Sequence, residues 1–190
     1  GVDLKLATFR VHTEERLGAI LDEDMVDLNS AYSKLLKVEG KANPRQWADA
    51  SIPVDMISFL YNGEGGMAAA KRAVNYVEEN PGAIGLDGER LTLPINSVRL
   101  MAPVPKPVKV YCAAVNYYDH ATESIEDPTE RLEEIERLRN LDLDVPVIFQ
   151  KPPDLVVGPE ASIIKPKASD LVDYECELAA IIGREGKYIT

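Results

Sequence analysis

The stretch Asp173-Tyr174-Glu175-Cys176-Glu177-Leu178-Ala179-Ala180-Ile181-Ile182-Gly183 constrains this chain more than any other. It is apolar, rich in residues that suit an extended backbone, and closed by a glycine, so it reads as a buried β-strand. Side chains on a strand alternate between faces with period two. Glu175 and Glu177 therefore share a face with Ala179 and Ile181, while Tyr174, Cys176, Leu178 and Ile182 take the other. Two adjacent carboxylates on an apolar strand repel each other and lose hydration, which is costly unless something positive compensates. A hard divalent cation such as Mg²⁺ or Ca²⁺, which takes oxygen ligands, would do so. The alternative is an edge strand whose glutamates face solvent.

With 190 residues the chain has material for one large domain or two small ones. Its 45% hydrophobic and 28% charged content excludes the disordered class. A net charge of −11 argues against nucleic acid or an anionic membrane surface as partner, since either needs a basic patch. No apolar run approaches a membrane span, and the first residues lack the pattern of a signal peptide. Cys112 and Cys176 both sit in apolar, strand-like runs. They read as buried thiols of a reducing compartment rather than as a disulfide, so a cytoplasmic protein is expected.

In chain order, residues 4–10 and 17–28 look like β-structure, with Asp22-Glu23-Asp24 as a hairpin turn. His12 falls in the preceding connection and reads as a solvated loop residue. A short helical run follows over 31–36, then a polar stretch in which Trp47 is expected to anchor against the core. A second helical piece over 55–60 is expected to break at Asn62-Gly63-Glu64-Gly65-Gly66. That cluster is no phosphate loop, because no strand precedes it and no Lys-Ser/Thr pair follows. Residues 67–79 have helical spacing and stop at Asn80-Pro81-Gly82. Short strands are expected over 91–93 and 98–101, and Pro103, Pro105 and Pro107 then mark an extended linker. The expected domains are therefore 1–104 and 105–190.

In the second of these, 108–115 reads as a buried strand running into Asn116-Tyr117-Tyr118-Asp119-His120-Ala121-Thr122-Glu123. Asp127, Pro128 and Glu130 have the spacing of a capped helix start, followed by a narrow apolar stripe of Leu132, Ile135 and Leu138. Further strands are expected over 145–149, 155–157 and 161–164. If Asp119 begins a helical turn, His120 and Glu123 lie on one face and can touch. A carboxylate beside a histidine orients it as a general base, although surface His–Glu pairs are also common. Lys151, held at a strand end before two prolines, could bind a substrate carboxylate or merely cap the strand. There is no Gly-x-Gly-x-x-Gly after a strand and no Gly-x-Ser-x-Gly elbow. Two histidines also make a His-rich zinc site a poor expectation.

The order of these motifs is more specific than any one of them. The segment 116–123, then Phe149-Gln150-Lys151-Pro152, then Val157-Gly158-Pro159, then 173–178 resembles the fumarylacetoacetate hydrolase family from about Val108 onward. The resemblance is looser over the N-terminal part. It implies an α+β protein: a small N-terminal α/β domain followed by a mixed, β-rich catalytic roll, usually a homodimer. It also implies Mg²⁺, Mn²⁺ or Ca²⁺ held by Glu175 and Glu177 and a catalytic pair of His120 and Glu123, with Lys151 and Tyr117 at the substrate. The implied activity is metal-dependent hydrolysis of a carbon–carbon bond in a β-dicarbonyl or acylpyruvate-type 2-oxo acid by a His–Glu-activated water, through an enolate. Decarboxylase and isomerase relatives share the site, and a non-catalytic binding or assembly protein is the alternative from another class. The third metal ligand and the rest of the roll are expected beyond Thr190, so the roll within these residues is expected to be incomplete on its C-terminal side.

Overall fold

The computed structural model describes residues 4–140 and 146–189, and its contacts divide the chain into two units. One comprises Gly1–Pro105 with Val157–Thr190, the other Lys106–Val156. The architecture is α+β.

The first unit is built on an antiparallel sheet of five strands in the order β4-β3-β2-β1-β5. These are β1 (Lys5–Val11), β2 (Glu14–Leu21), β3 (Asp24–Asp27), β4 (Thr92–Pro94) and β5 (Arg99–Leu100). Two-residue turns join the first three strands, and both open on a residue with positive φ, His12 at 54° and Asp22 at 52°. That is the backbone twist a tight hairpin demands. Pairing Ile20 with Met25 and Lys5 with Ile20 puts Leu17, Ala19, Leu21 and Val26 on one face. That face packs on helices α1 (Leu28–Val38), α2 (Pro44–Ser51), α3 (Met56–Tyr61) and α4 (Gly63–Glu79) in a single apolar cluster.

The opposite face is also buried, without helices. Strands β4 and β5 lie on opposite edges of the sheet, four strand spacings or about 19 Å apart if the sheet were flat. The five residue-to-residue steps from Pro94 to Arg99 span at most about 18 Å even fully extended. The sheet must therefore curl, and its concave face closes over Ala7, Phe9 and Met25, with Val11, Ile20, Leu93, Val98 and Leu100 at its margin. Gly18 makes the curl possible: a Cβ there would lie 2.4 Å from Met25 Sδ and 2.9 Å from Phe9 Cε1.

The structure corrects several expectations. Trp47 does not anchor the core: half its surface is exposed, and Lys41 Nζ lies 4.1 Å over its ring. Helix α3 does end at the glycine cluster, at Tyr61 with Asn62 as its cap, but Gly63–Gly66 then form the first turn of α4, which therefore starts before residue 67. The absent side chains let α4 close on α3, since a Cβ on Gly66 would sit 3.2 Å from Phe59 Cε2. The expected strands over 155–157 and 161–164 do not form, and neither does the strand over 173–183. Residues 156–189 contain no helix or strand, and Leu178, Ile182 and their neighbours are exposed. A strand is held by a ladder to a neighbour as much as by its own pattern, and among the described residues no strand is laddered to this segment.

Candidate active site

In the second unit, β6 (Val110–Ala113) and β7 (Ile148–Lys151) form an antiparallel pair, with Val110 opposite Lys151 and Ala113 opposite Ile148. The start of the strand expected over 145–149 lies outside the described residues. The ladder continues for one bond, from the Ala114 N–H to the Val147 carbonyl at 2.8 Å. The expected burial is not found: Val108, Tyr111, Ile148 and Phe149 are exposed and Cys112 is only half-buried. A two-stranded ribbon has two open faces and cannot bury its own side chains. Cys176, expected inside, is exposed, and both cysteines are free thiols.

At Val115 the chain turns out of the ladder with φ of 50°. A β-branched residue in this left-handed region carries strain of roughly 1–3 kcal/mol. Three residues later begins α5 (Tyr118–Ala121), a single helical turn closed by Ala121 N–H to Tyr117 C=O at 3.0 Å and Thr122 N–H to Tyr118 C=O at 3.1 Å. That turn brings His120 and Glu123 together, with His120 Nδ1 3.0 Å from Glu123 Oε2. Their side chains are 55% and 66% exposed, so the contact adds little to stability and matters for orientation. A carboxylate can only accept, so the neutral imidazole bonded to Glu123 carries its proton on Nδ1 and presents a lone pair on Nε2.

Helix α6 (Pro128–Arg139) begins as its sequence predicts. The Asp127 carboxylate accepts from the backbone N–H of Thr129 at 2.8 Å and of Glu130 at 3.0 Å, with Pro128 in the first turn. Hydrogen bonds from the Arg137 guanidinium hold the Glu134 carboxyl below the usual carboxylate range on its solvent side. Arg131 instead reaches back to α5, where Nε donates to Thr122 Oγ1 at 3.1 Å and Nη2 to the Asp119 carbonyl at 3.2 Å. Sequence reasoning missed Arg131 and Thr122. Only the capped helix start four residues before Arg131 was visible, and it carries no information about what the guanidinium meets.

The other candidates lie on other segments. Tyr117 is the half-exposed residue before α5. Lys151 ends β7 with Nζ 5.7 Å from the centroid of the Phe149 ring. Glu175 and Glu177 belong to the first unit, both exposed on the segment without regular structure. They are hard oxygen donors of the type Mg²⁺ prefers. Among the described residues no group of three His, Cys, Asp or Glu side chains is gathered so that it could hold a metal ion.

The model of the fumarylacetoacetate hydrolase C-terminal family matches residues 109–190. The human protein named oxaloacetate tautomerase FAHD2A, mitochondrial, is 34% identical over 142 residues, covering 74% of this chain and 37% of its own length. The Bos taurus protein of the same name matches to the same extent. A Dictyostelium discoideum protein named fumarylacetoacetate hydrolase domain-containing protein 2 homolog is 31% identical over 192 residues, covering 98% of this chain and 48% of its own. The chain thus spans less than half the length of these curated relatives.

Proposed function

Because the chain belongs, through residues 109–190, to the fumarylacetoacetate hydrolase family, we propose that the full-length protein is an enzyme processing a 2-oxo acid, with His120 as its acid–base group. The observation that carries this is the 3.0 Å contact of His120 Nδ1 with Glu123. It fixes the proton on Nδ1, leaves Nε2 as a base, and stabilises the imidazolium once Nε2 has taken a proton.

The relatives named as oxaloacetate tautomerases favour the reading in which that base works on carbon. Nε2 removes a proton from the carbon next to the 2-oxo group, the electron pair moves onto the carbonyl oxygen, and return of a proton to that oxygen gives the enol. The C–H bond and the carbonyl π bond are exchanged for a C=C π bond and an O–H bond, no carbon–carbon bond is broken, and nothing is consumed. In the second reading the same lone pair deprotonates water, whose oxygen attacks the distal carbonyl of a β-dicarbonyl substrate. The carbon–carbon bond then breaks and the leaving carbon takes up a proton. The two readings use the same pair, and what separates them is which atom a substrate presents to Nε2.

Glu175 and Glu177 are proposed as two ligands of a divalent cation, Mg²⁺, Mn²⁺ or Ca²⁺, which would supply Lewis acidity to the 2-oxo and carboxylate oxygens. Lys151 and Tyr117 are proposed to meet the substrate, the ammonium by pairing with its carboxylate. A homodimer and a cytoplasmic location complete the proposal. The test is turnover of oxaloacetate enol and of acylpyruvates by the full-length protein with Mg²⁺ present. A general base is worth about 10²–10⁴-fold, so His120→Ala should lose that much in kcat while metal affinity stays the same. Undiminished turnover in His120→Ala removes the pair from the chemistry.

A further inference from the structure

We propose that Arg131 is a positioning residue for the His120–Glu123 pair, acting through the backbone of α5 and the hydroxyl of Thr122; this rests on the acid–base role of the pair proposed above. Helix α5 has four residues. A helical segment that short does not hold itself in water, because nucleation is costly and is repaid only over several turns. Something outside α5 must keep His120 and Glu123 on one side of a turn.

The contacts show what does so. Arg131 Nε donates to Thr122 Oγ1 at 3.1 Å and Nη2 donates to the Asp119 carbonyl at 3.2 Å. The Thr122 hydroxyl in turn donates a hydrogen bond to the Tyr118 carbonyl at 2.8 Å, and Thr122 is fully buried. The Asp119 carbonyl belongs to the peptide that enters His120, and Thr122 immediately precedes Glu123. The guanidinium therefore grips the chain on both sides of the pair. Two donors in a planar fork are needed for this, which a lysine ammonium does not provide. Arg131 is itself placed by the capped start of α6, where its N–H donates to the Asp127 carbonyl at 2.9 Å. Arg139, two turns further along α6, stacks its guanidinium 5.4 Å from the Tyr118 ring and braces the other end of α5.

The test uses the full-length protein and the variants Arg131→Ala, Arg131→Lys, Thr122→Val and His120→Ala. Three quantities are read: kcat and KM for the 2-oxo acid, thermal midpoint, and the imidazole Nδ1 proton resonance of His120. Displacement of a catalytic group by an ångström costs up to about 10²-fold in rate. Arg131→Ala and Arg131→Lys should therefore lower kcat by about 10- to 100-fold, with KM within about twofold, and weaken or abolish the Nδ1 resonance. Millimolar guanidinium ion should restore part of kcat in Arg131→Ala. If Arg131→Ala loses its fold, Thr122→Val carries the test: it removes the Nε acceptor at nearly constant shape and should lower kcat in the same direction. Unchanged kcat and an unchanged His120 resonance in the folded variants, with His120→Ala inactive, overturns the positioning role alone. Full activity in His120→Ala overturns the acid–base reading beneath it.

Discussion

Replacing Asp27 by alanine removes two functions at one point of the first unit. The Asp27 carboxylate caps α1 by accepting the Ser30 N–H at 3.1 Å, and it receives the Arg16 guanidinium through Nε to Oδ2 and through Nη2 to Oδ1 at 3.0 Å. Arg16 Nη2 also donates to Ser30 Oγ at 3.2 Å, so strand, cap and helix start share one network. The hydrogen bond to Asp27 raises the pKa of Arg16 against the opposing effect of burial, which marks the charge as dependent on this partner. Asp27 is only 6% exposed, so water cannot take its place. Loss of the cap costs about 1 kcal/mol. Loss of charge-assisted bonds to a guanidinium costs about 1.5–3 kcal/mol more. Arg16 keeps 21% of its side-chain surface in water, which holds the total near 3 kcal/mol, below the full penalty of an orphaned interior charge. In urea unfolding, with an m-value of about 2 kcal/mol/M, the midpoint should fall by about 1.5 M. Asp27→Ser, which keeps the cap without the charge, should recover about 1 kcal/mol of this. Combining Asp27→Ala with Arg16→Ala should cost less than the sum of the two, because neither partner is then left alone. A loss below about 1 kcal/mol, or additive single variants, would refute the network as a source of stability.

Three further outcomes follow from the same geometry. Gly18→Ala forces a methyl onto the fully buried Phe9 and Met25 and should cost about 1–3 kcal/mol; an unchanged unfolding midpoint would show that the curl has room to spare. In the full-length protein, Glu175→Gln and Glu177→Gln should each weaken Mg²⁺ binding by at least about tenfold in calorimetric titration, since a hard cation loses an anionic ligand each time. Equal affinity removes that residue as a ligand. Burial pushes the Asp55 carboxyl up, but hydrogen bonds from Ser58 and from the backbone N–H groups of Asp55 and Ile57 together outweigh it and leave the group below its usual range. A depressed pKa stabilises the fold above the unfolded carboxylate value and is lost as pH falls through the folded one. The stability advantage over Asp55→Asn should therefore be present at neutral pH and shrink in acid below about pH 4. An advantage that does not change with pH would contradict the assignment.

What the sequence determined by itself is what depends on a few neighbouring residues. The hairpin turn at Asp22-Glu23, the start of α6 at Asp127-Pro128 and the three-residue spacing of His120 and Glu123 all follow from local rules of turn chemistry, capping and helical period. The order of motifs likewise pointed to the family that residues 109–190 match. What the tertiary structure decided are features whose partners lie on another element. Helix α4 begins inside a glycine cluster because Gly66 packs on Phe59, a contact no propensity scale contains. The pattern of 173–183 is that of a strand, yet it forms none among the described residues, because strands exist as pairs while helices close their own hydrogen bonds. Arg131 was one charged residue among many on an exposed helix until its fork met Thr122 and Asp119. Local chemistry is written in consecutive residues; which side chain steadies which is settled only when separate elements come into contact.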